Sequence, residues 1–309
     1  MILTNSGLKW ASMILVGFAG WTCINASGFQ LGVEFLKSSG FIALLIVVAL
    51  VYYQTNRDRR ILELAHFGAQ YLFLLMVLDL FTALAVSTNQ PLVDRQLDAI
   101  DKAIGFDWVA WKELVFSHRM LRNALRIAYS SLPLQLFFCY VYNAHTRASW
   151  RNSEMWWITF ISGMVTMAGC AAFPAMNPYV YYGLEPADHF IHMQQFLELR
   201  AHTMPVLSKM SDEGLVQLPS FHTILAIMLT YNLRHNRWLF SIAAGVNGLL
   251  IVSCPTEGSH YVIDLIAGAA VAGATIWGVR LLRRPAAGWV NGSKYVLPRL
   301  NRQSGSWNY

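Results

Sequence analysis

Eight long apolar stretches constrain this chain more than any other feature of its sequence. A membrane-spanning helix needs about 20 largely apolar residues, and each stretch reaches or approaches that length. They are residues 10–28, 40–54, 65–87, 124–142, 156–174, 215–233, 237–254 and 259–282. Only 13% of the residues are charged, about half the share that a soluble domain carries. The fold is therefore predicted to be all-α, a polytopic membrane helix bundle of about eight transmembrane helices.

The positions of the basic residues predict the orientation of this bundle. Arginines cluster in every second connection between the apolar stretches, and lysine and arginine recur in the tail after residue 284. Basic connections face the cytoplasm. We therefore expect a multi-pass protein of the cell (inner) membrane, with both termini cytoplasmic and the long loops 88–120 and 175–217 outside. The net charge of +6 is spread over short clusters without a basic stripe, so no nucleic-acid partner is predicted.

The first apolar stretch has a second interpretation. Small residues at Ala26, Ser27 and Gly28 are compatible with signal-peptide cleavage. Trp10 and Trp21 instead suit the two interfaces of a retained span. The retained span is preferred, and the orientation of the remaining helices is the same in both cases.

The outer segment 88–120 has the spacing of an amphipathic helix. Its apolar residues Leu92, Leu97, Ile100, Ile104 and Phe106 repeat as on one face, with most of the acidic residues elsewhere. This pattern predicts a helix along the membrane surface that acts as a lid or brace rather than in catalysis.

Metal and disulfide chemistry are weakly indicated. The four cysteines lie in or beside apolar stretches without CxxC spacing, and buried free thiols are expected. His189, His192 and His202 share one loop, but the HxxH pair has no third ligand at a fixed spacing. No metal and no cofactor are predicted.

Two short motifs contain the candidate catalytic residues. Leu218-Pro219-Ser220-Phe221-His222 opens the sixth apolar stretch, and Gly258-Ser259-His260-Tyr261-Val262-Ile263-Asp264 opens the eighth. Both stretches begin on the outer side, so the two histidines should lie at matching depth in the first turns of their helices. Pro219 suits a first turn and Ser259 an N-cap. Two helix N-termini would then direct their N–H groups into one pocket, an arrangement that favours a phosphate.

The spacing of His260 and Asp264 predicts a catalytic pair in which the carboxylate orients the imidazole. Four residues place them one helical turn apart on the same face. The carboxylate can fix one imidazole nitrogen and leave the other as a nucleophile. His222 is then the candidate general acid and base. Asp79, deep in the third stretch, suits either a functional role or a hydrogen bond to a neighbouring helix.

These motifs resemble the second and third signatures of the type 2 phosphatidic acid phosphatase superfamily, written PSGH and SRxxxxxHxxxD. The bulky Phe221 before the histidine is similar to the inositol phosphorylceramide synthase-like branch, as are Gly-Phe-Asp-Trp at 105–108 and Ala-Phe-Pro-Ala at 172–175. The resemblance covers about residues 65–284. It implies a six-helix phosphatase or phosphotransferase core there, two accessory helices in 1–64 and a cytoplasmic tail in 285–309.

The resemblance also implies a reaction. His260 would attack the phosphorus of a lipid phosphate in the bilayer and form a phosphohistidine, while His222 acts as acid and base and Asp264 orients His260. Water or an alcohol would accept the phosphoryl group, so the protein would be a lipid phosphatase or a phosphotransferase. Synthase-like transfer of a phosphorylated headgroup to a lipid alcohol is one alternative, and an inactive lipid transporter is a weaker one.

The sequence departs from the superfamily pattern at the phosphate-binding positions. Cys254, after Ser253, stands where the third signature has arginine, and the first signature, KxxxxxxRP, does not occur. The predicted substitute is Arg200 in the loop before His222, with Lys209, Ser220 and Ser259 as further phosphate-binding residues. The competing site is the triplet Arg119, Arg122 and Arg126, which lies on one helix face; snorkelling to lipid headgroups explains it equally well.

Overall fold

The computed structural model describes residues 5–184, 191–204, 206–207 and 215–283, and this part of the chain is helical apart from two strands of two residues each. In chain order the elements are α1 (Ser6–Ala26), β1 (Gln30–Leu31), α2 (Val33–Gln54), α3 (Arg59–Ser87), α4 (Asp94–Ala103), α5 (Trp108–Ser117), α6 (Arg119–Ser130), α7 (Leu132–His145), α8 (Ser149–Ala172), α9 (Pro178–Tyr181), α10 (Ile191–Arg200), β2 (Val206–Leu207), α11 (Phe221–Asn232), α12 (Arg237–Glu257) and α13 (Val262–Arg283). The predicted all-α membrane bundle is confirmed.

Fewer helices than the predicted eight have the length and composition of a membrane span among the described residues. Six helices in the described residues are long and apolar enough to cross a membrane, and the pair α6–α7 makes a seventh if it is counted as one bent span. The remaining predicted span, 215–233, is helical only as α11, whose 12 residues extend about 18 Å. The helix begins late because Pro219 restricts the residue before it to extended backbone. Pro219 therefore precedes the N-cap, Ser220, and is not in the first helical turn as predicted.

The predicted fourth span is broken rather than continuous. α6 and α7 meet at Ser131 with a bend of 44°. Pro133 lies in the first turn of α7, where its missing N–H costs nothing, but it cannot continue the hydrogen bonds of α6. The bend turns α6 away from α7 and towards α12, on which α6 packs.

The centre of the bundle is formed by α3, α8, α11 and α13. α3 packs on α8, and α11 packs on α8, α12 and α13. Trp156, Leu74 and Met228 are fully buried where these helices meet. α1 and α2 pack on the outer side of α3 and keep large apolar residues such as Leu15 and Leu36 exposed, as expected for surfaces that face lipid.

Two further contacts join the N-terminal helices to parts of the protein beyond α3. In α1 the fully buried Lys9 donates a hydrogen bond from Nζ to Ser153 Oγ of α8 at 2.7 Å. The second contact is a short parallel pair of β1 with β2, which joins Gln30 to Val206 and Leu31 to Leu207. This pair could not be predicted from the sequence, because strands of two residues are too short to show a period.

The amphipathic helix predicted in the outer segment exists as α4, and its position along the membrane surface stays a prediction. Ile100 and Ile104 are exposed, whereas Asp94, Asp98 and Asp101 are buried. The three carboxylates therefore pack on the protein together with Leu97, while Ile100 and Ile104 point outward. α4 acts as a brace, because its carboxylates accept backbone N–H groups at the start of α13 and at Met176.

Candidate active site

His260 lies in the short loop between α12 and α13. Its backbone N–H donates to the carbonyl of Cys254 at 3.2 Å, and its own carbonyl accepts a hydrogen bond from Trp108 Nε1 at 3.2 Å. Ser259 has a φ of +54°, a conformation that reverses the chain direction between the two helices. The imidazole is therefore fixed through its backbone on both sides, and it is 2% exposed.

Asp264 holds the His260 ring, as the spacing predicted. Oδ2 of Asp264 lies 3.2 Å from His260 Nδ1 and also accepts the N–H of Tyr261 at 2.9 Å. The carboxylate is fully buried in the first turn of α13. A proton on Nδ1 satisfies this geometry and leaves Nε2 with its lone pair. Burial lowers the pKa of His260 to about 4, which favours the neutral ring at neutral pH.

His222 faces His260 from the first turn of α11. The two ring centroids are 6.3 Å apart and the ring planes are inclined by 66°. The starts of the two helices are joined, since the Ser220 N–H donates to the Asp264 carbonyl at 2.9 Å. This bond brings the starts of α11 and α13 together, although His260 lies in the loop before α13 and not in a first helical turn as predicted.

Tyr129 is a component of the site that the sequence did not reveal. Its ring stacks on His222 with centroids 4.6 Å apart and planes inclined by 25°, and its hydroxyl lies 3.4 Å from His222 Nδ1. Tyr129 follows Arg126 by three residues on α6 and therefore extends the arginine face of that helix. This continuation of the i, i+3, i+7 pattern was the only signal that could have identified it.

Ser259 had been predicted to cap the N-terminus of α13. A side chain of α4 caps it instead. Asp101 accepts the N–H groups of Val262 at 2.7 Å and of Ile263 at 2.9 Å. Burial raises the pKa of Asp101, and the two backbone hydrogen bonds oppose that shift. These N–H groups are therefore not available to a phosphate. The expectation of two open helix ends fails at α13 because a carboxylate distant in sequence satisfies its donors.

A second carboxylate of α4 supports the same loop. Asp94 accepts the Tyr261 hydroxyl at 2.9 Å and the N–H of Met176 at 3.0 Å and 3.1 Å. Burial raises the pKa of Asp94, and its hydrogen bonds with Met176 and Tyr261 oppose this shift without reversing it. The segment around Ala-Phe-Pro-Ala is thus joined to the His260 loop through one side chain.

A sequence profile of the PAP2 superfamily matches residues 95–278, more than half of the chain. The chain belongs to the PAP2 superfamily. Membership supports a phosphatase-type lipid phosphoesterase in general. The matched region starts in α4 and contains both histidines and Asp264, whereas α1, α2 and α3 precede it. No curated protein and no solved structure gives a significant match.

Cys254, which stands where the third signature has arginine, does not supply a positive charge to the site. Cys254 is fully buried, and its thiol donates to the Leu250 carbonyl at 3.3 Å. Its contribution to the site is a backbone carbonyl, which accepts the N–H of His260. A neutral thiol cannot replace the charge of a guanidinium.

The predicted phosphate-binding residues are found in different environments. Ser220 is fully buried and caps α11, accepting the N–H of Thr223 at 3.4 Å. Ser259 lies beside His260 with 6% exposure. Arg200 ends α10, where Nη2 donates to the Gln90 carbonyl at 2.8 Å. Nη1 of Arg200 is buried and has no hydrogen-bond partner among the described residues. Lys209 lies outside the described residues.

The competing arginines lie on the helix that carries Tyr129. Arg119, Arg122 and Arg126 are all exposed on α6, and Arg122 packs its guanidinium over the Phe116 ring at 4.1 Å. Tyr129 places this helix against His222. The triplet therefore shares a helix with the residue that stacks on His222, while Arg200 interacts electrostatically with Asp94.

A cavity of about 430 Å³ opens beside the two histidines. Asp79, half-buried on α3, lines the same cavity, which leaves both sequence interpretations of this residue open. Most of the remaining lining is apolar. It comes from α3, α7, α8, the segment before α11, and α11: Tyr71, Leu75, Leu78, Thr82, Leu132, Pro133, Leu136, Met167, Leu215, Val216, Phe221, Leu225 and Leu229.

The histidines of the loop before α11 do not form a metal site in the part that is described. His202 stacks on Phe29 with ring centroids 5.5 Å apart. His189 lies outside the described residues, as does the side chain of His192. Among described residues no group of three or more His, Cys, Asp or Glu is placed to hold a metal ion.

Proposed function

We propose that this PAP2 protein is a membrane-embedded lipid phosphatase or phosphotransferase that works through a phosphohistidine on His260. One observation carries the proposal: a buried His–Asp pair faces a second histidine across an apolar cavity. A buried carboxylate that orients one imidazole while another imidazole lies opposite is the arrangement that nucleophilic catalysis requires.

The first step is attack on the lipid phosphate. Nε2 of His260 forms a bond to phosphorus while the bond from phosphorus to the lipid oxygen breaks. His222, in its protonated form, donates its proton to that leaving oxygen. The attacking ring gains positive charge, which Asp264 stabilises through Nδ1–H. The buried pair needs no reorganisation during this step, because the hydrogen bond is already formed.

The second step returns the enzyme to its starting state. Neutral His222 takes a proton from the acceptor hydroxyl as that oxygen attacks phosphorus. The phosphorus–nitrogen bond then breaks, and its electron pair returns to Nε2 of His260. Water as acceptor releases inorganic phosphate, and an alcohol gives a new phosphoester. Both acceptors use the same three side chains, so the product identifies the acceptor.

Phosphate binding is the part of the proposal with two candidate sites. We place Arg200 first, because Nη1 of its guanidinium is buried and has no hydrogen-bond partner in the described part of the chain, so a phosphate oxygen could accept from it. A planar guanidinium can also bind two phosphate oxygens at once. Lys209, Ser220 and Ser259 are proposed as additional ligands, and the arginine face of α6 is the alternative.

Trapping the intermediate tests the proposal. Purified protein is mixed with a radiolabelled phosphatidic acid, quenched within milliseconds and analysed for acid-labile, base-stable label. We expect label on His260 in the wild type and none in His260→Ala. His145→Ala is the matched control, because His145 is exposed at the end of α7. Turnover without any trapped label in His222→Ala, which slows the second step, would contradict a covalent mechanism.

The acceptor is identified with the same preparation. Wild-type protein is incubated with the lipid phosphate in water alone and with added inositol or a ceramide-type alcohol. Free phosphate in every condition indicates a phosphatase. A phosphoester of the added alcohol, which is inositol phosphate or the phosphate of the ceramide-type alcohol, formed with less free phosphate, indicates a phosphotransferase.

A further inference from the structure

We propose that a continuous apolar channel, running from the two histidines down α3 to α2, binds a hydrocarbon chain of the lipid substrate and selects its length. This inference rests on the proposed function, because it takes the phosphate to be at His260. It adds a specificity site built largely by helices that precede the PAP2 match.

The channel consists of two adjoining cavities. The first, of about 430 Å³, has both histidines in its wall. The second, of about 520 Å³, lies between α2, α3 and α7. Four residues line both cavities, namely Tyr71, Leu75, Pro133 and Leu136. A ligand that begins at His260 can therefore continue past these residues without leaving the protein surface.

The chemical character of the lining changes along the channel. The polar side chains His222, His260, Asp79 and Thr82 lie in the upper cavity. In the lower cavity the hydroxyl groups are confined to two tyrosines, and Tyr71 directs its hydroxyl towards Thr159 at 3.1 Å. The other lining residues there are apolar: Phe41, Leu45, Val48, Ile61, Leu64, Ala65, Gly68, Leu72, Leu75, Pro133, Leu136, Phe137 and Val141. This gradient matches a phosphate head followed by a hydrocarbon chain.

The length of the channel indicates a long chain. Thr82 marks its upper part and Ile61 its lower end, and both lie on α3. At 1.5 Å per residue they are separated by roughly 30 Å along that helix, close to the thickness of the hydrocarbon core of a bilayer. A short chain would fill only the upper cavity.

Selection in this channel must be steric. Surrounding lipid is as apolar as the channel wall, so transferring a chain from the bilayer gains little from the hydrophobic effect. What the wall can do is admit or block a chain. The wall of the lower cavity can be altered at Gly68 of α3, where an added Cβ would lie 3.6 Å from Leu45 Cδ1 of α2. A leucine there would extend into the lower cavity.

The test compares two glycine variants with two lipids. Gly68→Leu places a branched side chain in the channel, and Gly40→Leu places the same side chain on α2, at a position with nothing within 4 Å. Phosphatidic acids with two 8-carbon or two 18-carbon chains are the substrates. We expect Gly68→Leu to lower kcat/KM for the long chains at least about tenfold relative to the short chains. Gly40→Leu should keep the wild-type ratio. An unchanged ratio in a folded Gly68→Leu protein would overturn the inference.

A binding measurement separates this inference from the proposed function. A phosphatidic acid with a photoreactive group at the chain end is irradiated with the protein, and the labelled residues are mapped. We expect labelling on α2, α3 and α7 around Leu64 and Phe137, reduced in Gly68→Leu. Labelling there without any turnover would refute the proposed function and keep the channel. Turnover with labelling elsewhere would refute the channel alone.

Discussion

The backbone N–H of Ser220 donates to the backbone carbonyl of Asp264 at 2.9 Å. This single bond joins the start of α11 to the first turn of α13, and thereby the helix that carries His222 to the residue that orients His260. The close approach depends on Gly268, where a Cβ would lie 2.6 Å from the Ser220 carbonyl oxygen. The geometry of the site is therefore set by backbone packing as much as by its side chains.

The first prediction concerns this packing. Gly268→Ala should separate α11 from α13, lower the melting temperature and reduce turnover at least about tenfold, because histidines that move apart lose their alignment. Gly273→Ala is the matched control on the same helix, with nothing within 4 Å of its Cβ. Thermal unfolding and phosphate release in detergent measure both effects. Equal behaviour of the two variants would show that the close approach is not required.

The second prediction concerns the carboxylate that orients His260. Asp264→Asn should keep the fold but lower kcat by up to about 10⁴, the loss that the equivalent change causes in serine proteases. The asparagine can still accept the Tyr261 N–H, yet it no longer stabilises a positively charged ring. Circular dichroism and phosphate-release kinetics are the measurements. A loss of less than tenfold with the fold intact would argue against a charge-stabilising role.

The third prediction makes Tyr129 a positioning residue for His222. Tyr129→Phe keeps the stacked ring and loses one weak hydrogen bond, so kcat should fall about 2- to 10-fold. Tyr129→Leu also loses the stacking on His222, so its kcat should fall about 10- to 100-fold. The pH dependence of kcat should also shift, because the hydroxyl lies on Nδ1 of the acid–base histidine. Tyr142→Leu, which removes a stacking partner of Phe138, is the control. An unshifted pH profile would indicate a merely structural role.

The fourth prediction decides between the two candidate cation sites. Arg200→Ala should lower kcat at least about tenfold, or about 1.4 kcal/mol in activation free energy. Arg200→Lys should restore only part, because it keeps the charge but loses the two-pronged fit to phosphate. Loss of turnover in Arg119→Ala, Arg122→Ala or Arg126→Ala, with Arg200→Ala unaffected, would move the site to α6. If all four variants are unaffected, phosphate binding falls to Lys209 or to backbone groups.

The fifth prediction places the active site on the outer side of the membrane. Cys23 is the exposed cysteine among four free thiols, and the other three are buried, so Cys23→Ser provides a background for labelling. In intact cells an impermeant thiol reagent should modify Glu113→Cys, on α5, and should not modify Arg57→Cys, between α2 and α3. The reverse pattern would invert the predicted topology and place the histidines on the cytoplasmic side.

The sequence by itself determined the helical membrane fold, the two histidine motifs and the pairing of His260 with Asp264. The length of an apolar stretch and a four-residue spacing are local properties, and local properties can be recognised from the sequence alone. Among the predictions that failed, the one nearest the candidate site concerned which groups would satisfy the helix ends. Ser259 was expected to cap α13, but Asp101 does so.

Only the tertiary structure decided the surroundings of the triad. Tyr129 meets His222 across 93 positions of sequence, and Asp94 meets Tyr261 across 167. Neither separation along the sequence produces a periodic pattern from which the contact could be predicted. Backbone donors at a helix end accept any carboxylate that the fold brings to them, so the partner is chosen by packing. The sequence therefore identified the residues proposed to react, and the fold supplied those that hold them in place.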